Sequence, residues 1–346
     1  MKYSVLAMSI PSSNTPTASM HKKHIQSLSV IIPTRNSMGM LPKHVEALNE
    51  WIDLADEIIV VDSESSDGTV NFLKDNLRHS SIRFFNHPVG LYESWNFAIQ
   101  QIKTEYTYIA TVGDRIPLKS IKRLHTEALQ TDADLIISPP TLYSTKGEAS
   151  DANWPINQYL KQSNTPHNHR ITPDEVMLWN VISLPGTLMG SSASNIYRTS
   201  ALVNCPFPTN CGHAGDSAWA LKNSAHLSWH IIPDLDSEFL KHGSGKKNRD
   251  TSHRKRKELY ELAHSTLENT SITETNSDLQ KILHALIDAL KEKECAVVSF
   301  NKFRSERSLW HLHPKGWILR HRKNKGAAKI ASLKGRAIKA FYFKDT

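Results

Sequence analysis

The chain has 346 residues, 39% hydrophobic and 22% charged, a composition that suits a globular fold with a sizeable buried core. Three cysteines, Cys205, Cys211 and Cys295, are too few for a disulfide framework and match no zinc spacing, which points to a reducing compartment. No run of 18 apolar residues exists, so no spanning helix is expected, and the net charge of +8 is local: residues 301–346 carry 13 Lys/Arg against Glu306 and Asp345.

In chain order, residues 1–26 read as a disordered leader, because the apolar patch Val5–Ile10 is too weak for a secretory signal. Leu28–Ile32 reads as a strand buried on both faces and ended by Pro33. Pro42 then suits the first turn of a helix in which Val45, Leu48, Ile52 and Ala55 repeat at helical spacing. Ile58–Val61 predicts a second strand, and Asp67 can cap a helix with Val70, Leu73 and Leu77 on one stripe. Strands over Ile82–Phe85, Tyr106–Val112 and Leu135–Ser138 alternate with helices over Tyr92–Ile102 and Leu118–Leu129. Such β-α repeats imply a mostly parallel sheet with right-handed crossovers.

Residues 141–185 change character, with Tyr, Ser, Asn, Pro and His prominent, and predict irregular, partly helical cover on one face. Order returns with a strand at Ser194–Tyr197, a helix at Asp216–Asn223 and a strand at Leu227–Ile232. Ser277 can then cap a helix striped by Leu279, Ile282, Leu283, Leu286 and Leu290. Gly326–Phe343 interleaves apolar residues with lysine and arginine. The expected organisation is therefore an α/β domain over 27–240 and a basic helical extension over 241–346. Within the domain, residues 27–140 form one half and 141–240 the other.

Chemistry-bearing residues collect where strands should end, which in an open α/β sheet is where ligands bind. Pro33-Thr34-Arg35-Asn36 follows the first strand, Asp62-Ser63-Glu64 the second, and Gly113-Asp114 the fourth. A carboxylate emerging from a buried strand, as Asp62 does, can accept from a base edge or ribose hydroxyls; it can equally cap a turn. Arg35 offers a planar fork to a diphosphate or stands solvated in its loop. Asp67, in Ser-Ser-Asp-Gly-Thr, suits a turn as well as a ligand set. Trp154, Trp179 and Trp219 are candidates for stacking on a sugar face or for the core.

Taken together, Ser-Val-Ile-Ile-Pro-Thr-Arg-Asn, Ile-Val-Val-Asp-Ser-Glu-Ser-Ser-Asp-Gly-Thr, Gly90-Leu-Tyr-Glu-Ser-Trp-Asn96 and Gly113-Asp114 resemble family 2 glycosyltransferases of the GT-A fold over about residues 27–240. The resemblance implies a Rossmann-like sheet and inverting transfer from a nucleotide-diphosphate sugar, a UDP-sugar above others, to a glycan or lipid-linked acceptor. A surface polysaccharide such as lipopolysaccharide, capsule or exopolysaccharide is the implied product. Pro33, Thr34, Arg35, Asn36, Asp62, Ser63, Glu64, Asp67, Asn96, Gly113 and Asp114 become the nucleotide-sugar ligands.

The same resemblance makes Asp114 the carboxylate of a Mg²⁺ or Mn²⁺ site, with His242 as a further ligand, although Val112 and Arg115 stand where relatives place acids. Asp216 becomes the general base, a role it can combine with helix capping; His213 is a further acid/base option. Gly190–Ser194 should line the acceptor side, and Lys246, Lys247 and Arg249 could neutralise the leaving diphosphate. The departure at Val112 and Arg115 also motivates an alternative, a protein that binds sugar nucleotide without turnover. The basic extension suggests a cytoplasmic protein docked on the inner face of the cytoplasmic membrane. It lacks the aromatic platform of a specific nucleic-acid binder.

Overall fold

The computed structural model describes residues 28–144, 148–150, 154–240, 249–270, 276–306, 311 and 313–343. The leader expected over 1–26 lies outside them, as do His242, Lys246 and Lys247. An eight-stranded mixed sheet forms the centre. Its N-terminal portion alternates β1 (Leu28–Thr34), α1 (Leu41–Asn49), β2 (Glu57–Asp62), α2 (Thr69–Asn76), β3 (Ile82–Asn86), α3 (Leu91–Ile99), β4 (Tyr106–Ile109), α4 (Leu118–Thr131) and β5 (Leu135–Ile137). β3, β2, β1 and β4 lie side by side, all parallel.

The apolar runs explain this arrangement. Every residue of β2 is buried, and its side chains divide by parity. Ile59 and Val61 join one core, Ile58 and Val60 the other. A strand buried on both faces reads as a continuous hydrophobic run, as parallel sheets covered by helices require. α1, α2 and α4 cover one face, contributing Leu41, Val45, Leu73 and Leu124. α3 covers the other with Tyr92, Trp95, Ala98 and Ile99. α1 is shorter than its apolar spacing predicted: it stops at Asn49, and Ile52 falls in a separate turn of 3₁₀ helix at Ile52–Leu54.

Beyond β5 the chain forms β6 (Thr141–Tyr143), β7 (Ala149–Ser150), α5 (Pro155–Ser163), β8 (His169–Ile171) and α6 (Pro173–Ser183). α6 starts at a capping box between Thr172 and Glu175 and is buried nearly all round, as its apolar sequence demands. β9 (Ile196–Arg198) then enters between β4 and β5, antiparallel to both. α7 (Thr199–Asn204) and α8 (Gly215–Asn223) lead to β10 (Trp229–Ile231), which is parallel to β5 and antiparallel to the edge strand β8. β11 (Glu238–Leu240) joins β6 and β7 in a small separate sheet.

Three helices complete the described chain: α9 (Arg249–Glu268), α10 (Ser277–Ser305) and α11 (Pro314–Tyr342). α10 is capped by Asn276, whose side chain accepts from the Leu279 amide, rather than by Ser277. α10 and α11 pair as a long hairpin. Leu279, Leu283 and Leu286 from α10 share a core with Ile330, Leu333 and Ala337 from α11 and with Trp179 of α6. The Trp179 indole donates to the Tyr342 hydroxyl at 3.1 Å, tying the end of α11 to the sheet's helical cover.

Candidate functional site

The C-terminal ends of β1, β2 and β4 form one continuous edge, with β1 in the middle. Strands lie about 4.8 Å apart, so the ends of β2 and β4 are separated by about 10 Å. In register, Thr34 faces Asp62, and its hydroxyl donates to Asp62 Oδ1 at 2.8 Å. Asp62 is 6% exposed. It also accepts from the Ser65 amide at 2.8 Å and the Ser65 hydroxyl at 2.6 Å. A carboxylate offers about four acceptor positions, so room for one further donor remains.

The loops on either side are stitched together. Asn36 adopts φ of 46°, its amide donates to Ser65 Oγ, and its Oδ1 accepts from the Ser66 amide. Ser63 is buried and its amide donates to the Thr34 carbonyl; Glu64 is exposed, with φ of 57°. Asp67 accepts from the Thr69 amide and hydroxyl and from the Met38 amide. The Thr69 hydrogen bond, above the others, holds its carboxyl below the ordinary value. Oδ1 of Asp67 thus serves the turn that begins α2, and Oδ2 ties that turn to the β1–α1 loop. Pro33 is the half-buried end of β1, and Arg35 projects exposed from the same edge with no ion pair to a described residue.

On the other side of β1, Asp114 follows Gly113, whose φ of 104° favours glycine. Asp114 is 4% exposed. It accepts from the Leu240 amide at 3.3 Å and the Ser191 hydroxyl at 3.5 Å. Burial dominates over these bonds and pushes its carboxyl up to about 8. His44 of α1 is buried beside it, with Nδ1 3.0 Å from the Asp114 carbonyl, and burial lowers its imidazole to about 4. Lys43, His44, Glu50, Asp114, Arg115 and Glu238 line a cleft of about 640 Å³. Arg115 pairs with Glu50 at 3.3 Å.

A divalent cation needs hard oxygen donors. Among the described residues, no group of three His, Cys, Asp or Glu side chains could hold one, and Val112 is buried. Asp114 nevertheless fits as a single protein ligand: it is a buried carboxylate that receives only two long hydrogen bonds. A diphosphate and water would complete the shell.

Asp62 lines a different cleft, of about 540 Å³, with Glu64, Lys74, Phe84 and Asn86. Asp216 lines neither. It stands in the first turn of α8, against Tyr92 at the start of α3. Its Oδ1 accepts from the Ser217 amide at 2.7 Å. Burial raises its carboxyl above the ordinary value, while hydrogen bonds from Ser217 and Tyr92 pull the other way. Gly215 is required just before it, since a Cβ there would press on the Tyr92 ring and come within 2.6 Å of the Pro208 carbonyl.

The sugar-stacking expectation for two of the tryptophans needs correction. Trp179 and Trp219 are fully buried and cannot stack on a sugar. Trp219 stacks on Phe207 at 5.3 Å, and its indole donates to the Cys205 carbonyl at 2.5 Å. Trp154 is half-buried against Phe239. Asn96 bonds the backbone of Phe207 through both ends of its amide, donating to the carbonyl and accepting from the amide, both at 2.9 Å. It holds the approach to α8 against α3. Lys43 and Tyr92 were missed as site residues. The lysine directly follows the helix-starting Pro42 beyond Pro-Thr-Arg-Asn, a signal the residue types alone do carry.

Residues 29–182 match the family model for Glycosyl transferase family 2. No curated protein sequence matches the chain significantly. Among solved structures, residues 1–349 of Staphylococcus aureus TarS in complex with UDP are similar at a TM-score of 0.56 and 15% identity, over 92% of this chain and 93% of that one. The TarS complex with UDP-GlcNAc gives the same values. Full TarS has a TM-score of 0.56 at 15% identity, over 89% of this chain and 55% of that one. Over residues 29–182 the sequence is thus similar to glycosyl transferase family 2, and the fold is of the GT-A type.

Proposed function

We propose that the protein is a glycosyltransferase that transfers a sugar from a nucleotide-diphosphate donor, with inversion, to a carbohydrate hydroxyl. The observation that carries this reading is that Asp62 ends β2 and Asp114 follows β4, the two strands that flank β1 and lie about 10 Å apart by strand spacing. A nucleoside placed at Asp62 would bring its diphosphate to Asp114. TarS, which has the same fold, was solved with UDP and with UDP-GlcNAc, which favours a uridine donor.

On this reading the free acceptor position of Asp62 takes a donor from base or ribose. Arg35 and Lys43 face the diphosphate from either side of the β1–α1 turn, and Asp114 holds a Mg²⁺ or Mn²⁺ ion against it. Such an ion, when bound, neutralises charge on the diphosphate oxygens. Ser191, within reach of Asp114, marks the side from which the acceptor enters. Asp216 accepts the acceptor hydroxyl's proton as its oxygen bonds the anomeric carbon. The bond from that carbon to the diphosphate breaks on the opposite face. Burial of Asp216 makes it a better base than a solvated carboxylate.

A panel of UDP-, GDP- and dTDP-sugars, with and without Mn²⁺, scored by nucleotide release, tests the proposal. Uridine preference with metal stimulation supports it. The buried Val112 favours one alternative, binding without turnover. Thermal stabilisation by a donor with no release from wild-type protein would establish that alternative.

A further inference from the structure

The far end of the α10–α11 hairpin has its own small core. Phe300 and Phe303 of α10 pack with Leu319 of α11, while Lys315 and Lys323 cover the Phe rings at 5.9 and 5.4 Å. On α11 the buried positions Gly316, Leu319, Ile330, Leu333 and Ala337 fall at helical spacing and face α10. The outward side is unlike an ordinary solvated face. Trp317 is 72% exposed and its neighbour Ile318 is 54% exposed. The Trp317 indole N–H donates to the His311 carbonyl at 2.8 Å, so the ring is held with its polar atom satisfied and its apolar faces open. The two side chains, with His311 and Pro314, border a cavity of about 480 Å³.

Charge says what this surface meets. Helix Pro314–Tyr342 contains nine Lys/Arg and no Asp or Glu. Ile318, Arg322 and Lys325 share one helical face, and all are exposed. A fixed tryptophan and an isoleucine at the end of a purely basic helix face match an anionic bilayer. The ring and aliphatic side chain enter at headgroup depth, and the cations pair with lipid phosphates. A second copy would bring the same positive charge and is repelled. No described helix is long and apolar enough to cross a membrane, so the attachment is to the surface.

We propose that the outward face of α11 around Trp317, Ile318, Arg322 and Lys325 docks the protein on anionic phospholipid. The inference uses no feature of the donor site.

Flotation of the full-length chain with vesicles of phosphatidylcholine alone, or mixed with phosphatidylglycerol, tests it without any sugar nucleotide. The wild type is expected to float only with the mixed vesicles and to be released by added salt. The double variant Trp317→Ser/Ile318→Ser should lose about tenfold or more in apparent affinity, from the apolar burial forgone, with an unchanged circular dichroism spectrum. The separate pair Arg322→Ser/Lys325→Ser should also weaken binding and gives an independent answer if the first pair folds poorly. Equal binding to both vesicle types, no binding at all, or variants of both pairs matching wild type would overturn the proposal. So would stronger binding to poly(U) RNA than to the mixed vesicles. Nucleotide release is measured in solution, so failure here leaves the transferase reading untouched.

Discussion

The sheet half spanning β1 to β4 and the α10–α11 hairpin are both well-packed, but they keep their polar chemistry in opposite places. In the sheet, every face is covered by helices, and functional side chains emerge only at one edge, where strands end. The two carboxylates among them are buried and hydrogen-bonded, Asp62 by Thr34, and Asp114 by Ser191 and the Leu240 amide. In the hairpin, one face of α11 is core and the other is open along its length, with most of its basic groups exposed. Burial therefore tunes individual groups at the edge, whereas the hairpin acts through the sum of many screened charges. The first region suits chemistry on one molecule, the second attachment to an extended surface.

The sharpest way to break that contrast is to remove the base at the edge. Asp216→Asn should lower turnover about 10²- to 10⁴-fold, measured as nucleotide release, while donor affinity by calorimetry stays near wild type. An equal fall in both would make Asp216 a binding group. Trp219→Ala should cost about 3–5 kcal/mol of stability in denaturant titration, since Trp219 is core and stacked on Phe207; a loss of donor affinity without destabilisation would return it to the sugar site. Arg35→Ala should weaken donor binding by about 1.5–3 kcal/mol and leave the melting temperature nearly unchanged, because the side chain is exposed. Asn96→Ala should cost about 1–3 kcal/mol of stability through its two lost backbone partners, with donor affinity much less affected; the reverse pattern would make Asn96 a ligand.

The pH profile sharpens the same comparison. A carboxyl raised by burial is favoured in its protonated form by the folded state. Asp216 therefore adds stability at low pH, and that stability is lost as pH rises from the ordinary carboxylate value through the raised one. Activity runs the other way, because the base must be ionised, and should climb over the same range. A rate that is flat there, or declines, contradicts a base role. In Asp216→Asn the rate rise over that range should disappear, and the stability slope should shrink to the part that the raised carboxyl of Asp114 contributes.

Much of the fold was legible because the strands of the parallel half are buried on both sides, and Ile58–Val61 admits little else. The edge positions followed from where those runs stop. The tryptophans were ambiguous for a physical reason: a ring that stacks on Phe207 and one that stacks on a sugar come from the same residue type. Asn96 is a similar case, since an amide binds backbone and ligand equally well, and its partner Phe207 is 111 positions away. Thr172 and Glu175 spell a capping box in plain view, yet the surrounding polar residues read as irregular cover. The insertion of β9 between β4 and β5, reversed in direction, depends on long-range pairing that no local pattern encodes.

The central claim is that one nucleotide-diphosphate sugar lies across β1, with its nucleoside at Asp62 and its diphosphate at Asp114. Calorimetric titration of uridine, UMP and UDP into wild type, Asp62→Ala and Asp114→Asn, each with Mn²⁺, reads this directly. The account expects Asp62→Ala to weaken all three ligands, and Asp114→Asn to weaken UDP while sparing uridine. Loss of uridine binding in Asp114→Asn, or UDP affinity unchanged in both variants, would contradict it.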